Sequence, residues 1–189
     1  MANKISTQKK DTFLSFRLAD EIFAVNVIKV LEVLEIQRIT KVPNTPPYMK
    51  GVINFRGEIL PVIDTRMKFT MPEAEQTTKT VIVVLDLTVR DKQIMIGAMA
   101  DSVKDVIEIN LSEIKPVPEI SSNYNTEFII GMWKSENGFI MILDFDKIFS
   151  VEELRLVNES SQSLDIDIVE NIVENNDENN VENELDEQS

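Results

Sequence analysis

Two aspartates, Asp64 and Asp144, are the residues whose type and position could support catalysis, because each directly follows an apolar run. A pair of carboxylates can act as general acid and general base in hydrolysis or group transfer. The chain has no histidine and no cysteine, which excludes imidazole bases, thiolate nucleophiles and the metal sites built from them. An oxygen-only cation site stays open, and so does a carboxylate hydrolase or transferase. We favour a simpler role, in which each aspartate caps the turn that follows it.

A second unusual charge is Glu32, which lies within the apolar segment 30–36. Strict strand alternation places Glu32 on one face with Val30, Leu34 and Ile36. A carboxylate on an apolar face is unfavourable unless it is paired. Arg56, in the turn 55–58, is the cation that we expect to pair with it. The alternative is that Glu32 lies on a solvated strand edge.

Glycine and asparagine mark the turns that would position these charges. Gly57 permits a positive φ, so residues 55–58 are predicted to form a hairpin tip or bulge. Asn137-Gly138 is the corresponding two-residue hairpin signal in the second half of the chain. Single helical turns or helix starts are predicted after Asn26, after Asn110 or Ser112, and at residues 44–48.

The charge is unevenly distributed along the 189 residues, whose net charge is −14. Residues 158–189 hold eleven acids and no Lys or Arg, so residues 1–157 carry 22 acids against 19 bases, a net of −3. Neither part has the basic surface that nucleic-acid binding requires. The acidic tail, 158–189, is predicted to be disordered, except that Leu164, Ile168 and Ile172 have the spacing of a short amphipathic helix. No signal-like apolar core or membrane-spanning run is visible, which predicts a cytoplasmic protein without direct membrane insertion.

The segment between a flexible N-terminus, 1–11, and the tail is predicted to be an all-β domain, 12–157. Short apolar strands separated by turns fill it; one of them, residues 80–87, is apolar on both faces and is expected to be central. The domain also repeats itself, because Gly51, Asp64 and Phe69 recur 80 residues later as Gly131, Asp144 and Phe149. Two related modules, about 12–70 and 79–150, are therefore predicted to share a core. Whether they exchange strands is left open.

Residues 51–66, GVINFRGEILPVIDTR, resemble the family of chemotaxis coupling proteins typified by CheW. The segments IKVLEV, VPNTPPYMKG, TVIVVLDL and DSVKDVIEI continue the resemblance in order, and it covers about residues 12–149. It implies a fold of two five-stranded SH3-like barrels packed together with few short helices. It also implies a non-catalytic adaptor without a cofactor, which couples the cytoplasmic tips of chemoreceptors (methyl-accepting chemotaxis proteins) to the regulatory domain of the histidine kinase CheA.

The resemblance also assigns residues. It implies that Glu32 and Arg56 form a salt bridge, and that Val30, Gly51 and Gly57 mark the partner-binding surface with them. It implies control of kinase autophosphorylation and recruitment from the cytoplasm to membrane-associated receptor arrays. Thr65 and Trp133 depart from the family pattern, which often has Leu and Gly at these positions, and the acidic tail matches nothing in the family core.

Overall fold

Alternating side chains and two-residue turns produce ten β-strands in the computed structural model, which describes residues 9–89, 92–117, 128–136 and 138–149. The strands are β1 (Lys10–Leu18), β2 (Glu21–Asn26), β3 (Val30–Glu35), β4 (Met49–Phe55), β5 (Glu58–Asp64), β6 (Val81–Val89), β7 (Lys92–Ala100), β8 (Ser102–Asn110), β9 (Ile129–Ser135) and β10 (Gly138–Leu143). One short helix, α1 (Thr65–Lys68), and the 3₁₀ turns Val27–Lys29, Leu111–Glu113 and Phe145–Lys147 accompany them.

The strands form two five-stranded curled sheets, which confirms the predicted all-β fold of two small barrels. The first sheet has the order β8-β1-β2-β10-β9, and the second has the order β3-β6-β7-β5-β4. Shifting each strand number of the first sheet by five, with the count returning to one after ten, reproduces the order of the second sheet, so the internal repeat is a structural pseudo-symmetry. The matching bridges Thr40–Val52 and Lys115–Met132 extend the correspondence to the segments that follow β3 and β8.

The two repeats exchange their first two strands. β1 and β2 join the sheet that contains β8, β9 and β10, whereas β6 and β7 join the sheet that contains β3, β4 and β5. The exchanged strands join the other three strands of each sheet through a parallel pair, β2–β10 in one sheet and β5–β7 in the other, and the other pairings are antiparallel. The predicted modules 12–70 and 79–150 are therefore units of sequence but not of the sheets. The predicted N-terminal boundary is also corrected, because β1 begins at Lys10, which pairs with Asn110.

Four apolar clusters lie in the described residues, the smallest of them around Met49 and Val52. The largest lies between the two sheets, where β1 and β2 contribute Phe16 and Phe23 and β6 and β7 contribute Leu85 and Ile96. Smaller clusters line the inside of each curled sheet, around Ile53 and Leu60 in one and Phe13 and Ile142 in the other. Residues 80–87 were predicted to be central, and β6 is paired on both sides with Ile82–Leu85 buried.

An ion pair fixes the tight turn where the chain passes from one sheet to the other. Asp101, between β7 and β8, accepts hydrogen bonds from Arg66 Nε at 2.7 Å and from Arg66 Nη2. The same carboxylate accepts a hydrogen bond at 2.7 Å from the backbone N–H of Ala19, in the β1–β2 turn. Both charged side chains are mostly buried, so this contact ties α1, the sheet crossing and the first hairpin together.

Several predicted caps are present. Asn26, Asp64, Asn110 and Asp144 each accept a hydrogen bond from a backbone N–H of the following turn. The helix start predicted at residues 44–48 is wrong. That segment forms turns with Asn44 at φ 58°, because its two prolines lack donors and Tyr48 O accepts from Asp64 N at 2.7 Å.

Other predictions lie outside the described residues. They concern the flexible N-terminus up to residue 8, Asn137, and the disordered tail with its amphipathic helix. No helix among the described residues is long and apolar enough to cross a membrane.

Candidate protein-interaction site

The β4–β5 hairpin ends in a two-residue turn of defined geometry. Arg56 has φ 56° and Gly57 has φ 90°, the pair of positive values that a type I′ turn requires. The Gly57 N–H donates a hydrogen bond of 3.0 Å to the side-chain oxygen of Asn54, and this bond stabilises the turn. The predicted hairpin tip is confirmed, and Arg56 occupies a left-handed conformation that is uncommon for a residue with a side chain.

The structure brings Arg56 and Glu32 into contact. Arg56 Nη2 lies 2.7 Å from Glu32 Oε2, and the guanidinium lies 4.9 Å from the centre of the Phe55 ring. β3 and β4 are the two edge strands of one sheet, so the ion pair spans the seam where the curled sheet closes. The side chains are 69% and 39% exposed, and a surface pair of this kind contributes about 0–1 kcal/mol to folding. Its main effect is to orient the hairpin tip against β3.

β3 alternates as predicted, and two of its three outward residues are apolar, the third being Glu35. Glu32 and Leu34 are half-buried on the inner side, whereas Leu31 and Val33 are 45% and 40% exposed. Ile28, in the preceding 3₁₀ turn, is 81% exposed. Three of the six exposed large apolar residues in the described part of the chain therefore fall between positions 28 and 33. Ile28, Leu31 and Val33 are called the β3 face below.

Sequence reasoning placed Leu31 and Val33 opposite Glu32 but did not single them out. The available signal was the assignment of Glu32 to the inner face. Once that charge points inward against a partner, the alternate residues must point out, whatever their polarity.

Two of the predicted binding residues do not lie on an open surface. Val30 is half-buried and packs against the core between the sheets. Gly51 is buried, and a Cβ built on it would lie 2.0 Å from the carbonyl oxygen of Thr40. Thr40 and Val52 exchange two backbone hydrogen bonds of 2.9 and 2.8 Å directly beside this glycine. Gly51 is therefore not an exposed contact residue, and its lack of a side chain lets the segment that contains Thr40 approach β4.

The pseudo-symmetry supplies an independent check on this interpretation of Gly51. Gly131 occupies the equivalent position, where a Cβ would lie 2.5 Å from the carbonyl oxygen of Lys115. Gly57 differs from both, because a Cβ there would meet nothing within 4 Å. Of the three glycines, only Gly57 is an exposed residue of the candidate site.

The two aspartates considered for catalysis are held in separate structural contacts. Asp64 ends β5 in one sheet and lies 3.2 Å from Lys50 Nζ, while Asp144 follows β10 in the other sheet and lies 3.0 Å from Lys147 Nζ. Burial lowers the pKa of the Lys50 ammonium, but hydrogen bonds to Glu73 and Asp64 outweigh this effect and raise it above its ordinary value. Each carboxylate also caps a turn, so both have the structural role that the repeat predicted.

Comparisons with known proteins agree with this fold. The chain matches the family model described as the CheW-like domain over residues 12–153, and it belongs to that family. It is 34% identical over 163 residues to chemotaxis protein CheW of Bacillus subtilis, covering 86% of this chain and 96% of the relative.

Two further matches extend this result. The chain is 33% identical over 151 residues to chemotaxis protein CheW of Klebsiella aerogenes, covering 80% of this chain and 89% of the relative. Its structure is similar to the crystal structure of the scaffolding protein TtCheW from Thermoanaerobacter tengcongensis. The TM-score is 0.68 at 27% identity, with 81% of this chain and 96% of that chain covered.

Proposed function

We propose that this protein is a non-catalytic scaffold in bacterial chemotaxis, which couples chemoreceptor tips to the regulatory domain of the histidine kinase CheA and supports control of its autophosphorylation. In this role it acts in the cytoplasm and is recruited to membrane-associated receptor arrays. The relatives named as chemotaxis protein CheW, which this chain matches over most of their length, support the proposal. So does the resemblance to a solved scaffolding protein.

The observation that carries a binding role is the exposed apolar β3 face beside a preorganised cation. Isolated exposed apolar residues are ordinary on protein surfaces, whereas a group of them on one short segment favours a protein partner. Arg56 is held over Phe55 and against Glu32, so little side-chain freedom is lost when a partner contacts the hairpin tip. Arg is also a residue type enriched at the energetic centres of interfaces.

We assign Glu32, Arg56, Gly57 and the β3 face to the contact surface. Val30 and Gly51 act indirectly, through the packing of β3 and the closing of the sheet. A scaffold of this kind needs no turnover; it transmits a receptor's conformational bias by holding two partners in a fixed geometry.

The test is a titration of a CheA-type kinase from the same cell with the wild-type chain and with Val33→Ser and Arg56→Ala. The pseudo-symmetry provides a control at the corresponding position, Val106→Ser on β8, which removes an exposed valine from the other sheet. We expect each site variant to weaken kinase binding by about tenfold or more while leaving the unfolding transition in place. Equal affinities for all four well-folded proteins would refute the assigned surface, and no binding by the wild type would refute the proposed coupling.

A further inference from the structure

The β3 face lies near the last described 3₁₀ turn of the chain. The last described 3₁₀ turn, Phe145–Lys147, is held by Asp146, whose carboxylate lies 2.7 Å from Lys29 Nζ. Asp146 also accepts a hydrogen bond of 2.8 Å from the backbone N–H of Thr88, at the end of β6 next to β3. Lys29 directly follows Ile28, so Asp146, three residues before the last described residue, contacts the immediate neighbour of the most exposed residue of the β3 face.

The tail carries side chains that complement this face. Leu164, Ile168 and Ile172 recur at the spacing of one helical face, and acids stand between them. Leu164 is fifteen residues beyond Phe149, a segment that reaches up to about 50 Å when extended. The six-residue β3 is about 20 Å long, so the linker can deliver these residues anywhere along it.

The charges near the β3 face also favour contact with the acidic tail. Four cations lie on or beside the segment that carries the β3 face: Lys29, Arg38, Lys41 and Arg56. Lys29 and Arg56 are paired with Asp146 and Glu32, and Glu35 is a further acid on β3, so these seven residues have a net charge of +1, whereas residues 1–157 as a whole carry −3. The tail, with its eleven acids and no bases, is the complementary partner that the chain itself provides.

We propose that the tail segment 164–173 docks on the β3 face of its own chain and competes there with the protein partner. The three apolar tail residues cover Ile28, Leu31 and Val33, and the acids between them contact the flanking cations. The competition rests on the proposed scaffold function, but the docking does not. Because the tail is tethered, its effective concentration at the face is high, and a weak contact is enough to lower the apparent affinity for a partner.

The docking is tested on the full-length chain by nuclear magnetic resonance. Since the protein has no cysteine, Ser163→Cys provides a single attachment site for a nitroxide spin label. We expect paramagnetic broadening of the methyl signals of Ile28, Leu31 and Val33, but not of Val106 and Ile130, which are exposed on the other sheet. Broadening spread evenly over all exposed methyl groups, or centred on Val106 or Ile130, would overturn the proposal.

Two tail variants separate a specific contact from simple proximity. Replacing Leu164, Ile168 and Ile172 together by serine is expected to abolish the selective broadening. Replacing Asn175, Asn176 and Asn180 by serine, the matched polar control, is expected to preserve it. Retention of the broadening in the first variant would contradict docking through the apolar residues. Added NaCl should weaken the contact, and broadening that is indifferent to salt would contradict the role of the charges.

Competition is measured separately, by titrating the kinase into the wild type and the triple serine variant. We expect the variant to bind about threefold more tightly or better, because the face is no longer partly occupied. Equal affinities, with the broadening present in the wild type, would refute competition but not docking. Absence of kinase binding in both proteins would refute the proposed scaffold function and leave the docking result standing.

Discussion

Three glycines that differ in backbone conformation or in the space around them allow the assignment of folding and binding roles to be tested by one substitution type. In Gly57→Ala the new Cβ meets open space, so only the positive φ of 90° opposes it. In Gly131→Ala the Cβ would lie 2.5 Å from a backbone oxygen, and steric overlap opposes it. In Gly51→Ala both effects combine, because φ is 141° and the Cβ would lie 2.0 Å from the Thr40 oxygen.

The expected losses in the free energy of unfolding follow from these contacts. A left-handed conformation at Gly57 gives about 1 kcal/mol. Overlap with a backbone oxygen at Gly131 gives about 1–3 kcal/mol, since backbone yields less readily than a side chain. At Gly51 the overlap adds to a conformation that is almost restricted to glycine, for a total of about 3–5 kcal/mol. That is a large fraction of the 5–15 kcal/mol typical of a whole domain.

The assay is urea denaturation followed by far-ultraviolet circular dichroism and by the fluorescence of Trp133, the single tryptophan. We expect the midpoints to fall in the order Gly57→Ala, Gly131→Ala, Gly51→Ala. Kinase binding is then measured under conditions in which each variant is folded. Gly51→Ala should lose binding only in proportion to its unfolded fraction, whereas Gly57→Ala should alter binding while folded. A midpoint for Gly51→Ala equal to that of the wild type, or direct loss of binding by folded Gly51→Ala, would refute this reasoning.

Three further predictions follow from the charged contacts. A double-mutant cycle on Glu32 and Arg56 should give a coupling of less than about 1 kcal/mol in folding, falling further at high salt, but a clear coupling in kinase binding; additive effects on binding would contradict a paired role. Asp101→Asn should lower the free energy of unfolding by about 2–3 kcal/mol in denaturant titrations, since it leaves the mostly buried Arg66 without its anionic partner. A loss below about 0.5 kcal/mol would refute the stabilising role of this ion pair at the turn between the two sheets. The hydrogen bond from Lys50 lowers the pKa of Glu73, so this contact is intact at neutral pH and is lost as pH falls through the folded-state pKa. Glu73→Gln should therefore reduce the loss of the free energy of unfolding on acidification. Identical dependence of the free energy of unfolding on pH in the variant and the wild type would exclude a contribution of this contact to stability.

Much of the local structure could be predicted from the sequence, because it depends on neighbouring residues. Asn26, Asp64, Asn110 and Asp144 cap the turns that follow them with side chains only two or three residues from the donor. The alternation of β3 and the hairpin tip at Arg56-Gly57 are likewise properties of short segments. The segment 44–48 could not be predicted from neighbouring residues alone. Its sequence resembles a helix start, but Tyr48 packs against the core and its carbonyl oxygen accepts a hydrogen bond from the backbone N–H of Asp64.

The candidate site was predicted in part. The contact of Glu32 with Arg56 was expected, and the structure places the two charges together across the seam of the sheet. The exposure of Leu31 and Val33 was missed, because an apolar side chain looks the same in a sequence whether its strand face is covered or not. The burial of Gly51 was missed for a similar reason, since it depends on Thr40, which is eleven residues away in sequence and in backbone contact in space.

By itself, the sequence determined the strands, their turns and caps, and the existence of two related halves, since each of these follows from local chemistry or from matching residues at a fixed offset. The tertiary structure decided the exchange of β1 and β2 with β6 and β7. Both arrangements would use the same strands and the same alternation, so no local pattern distinguishes them. The choice is made by the shared core between the sheets, where the exchanged strands bury their apolar faces against each other. That packing also determines which face of β3 is left open for a partner.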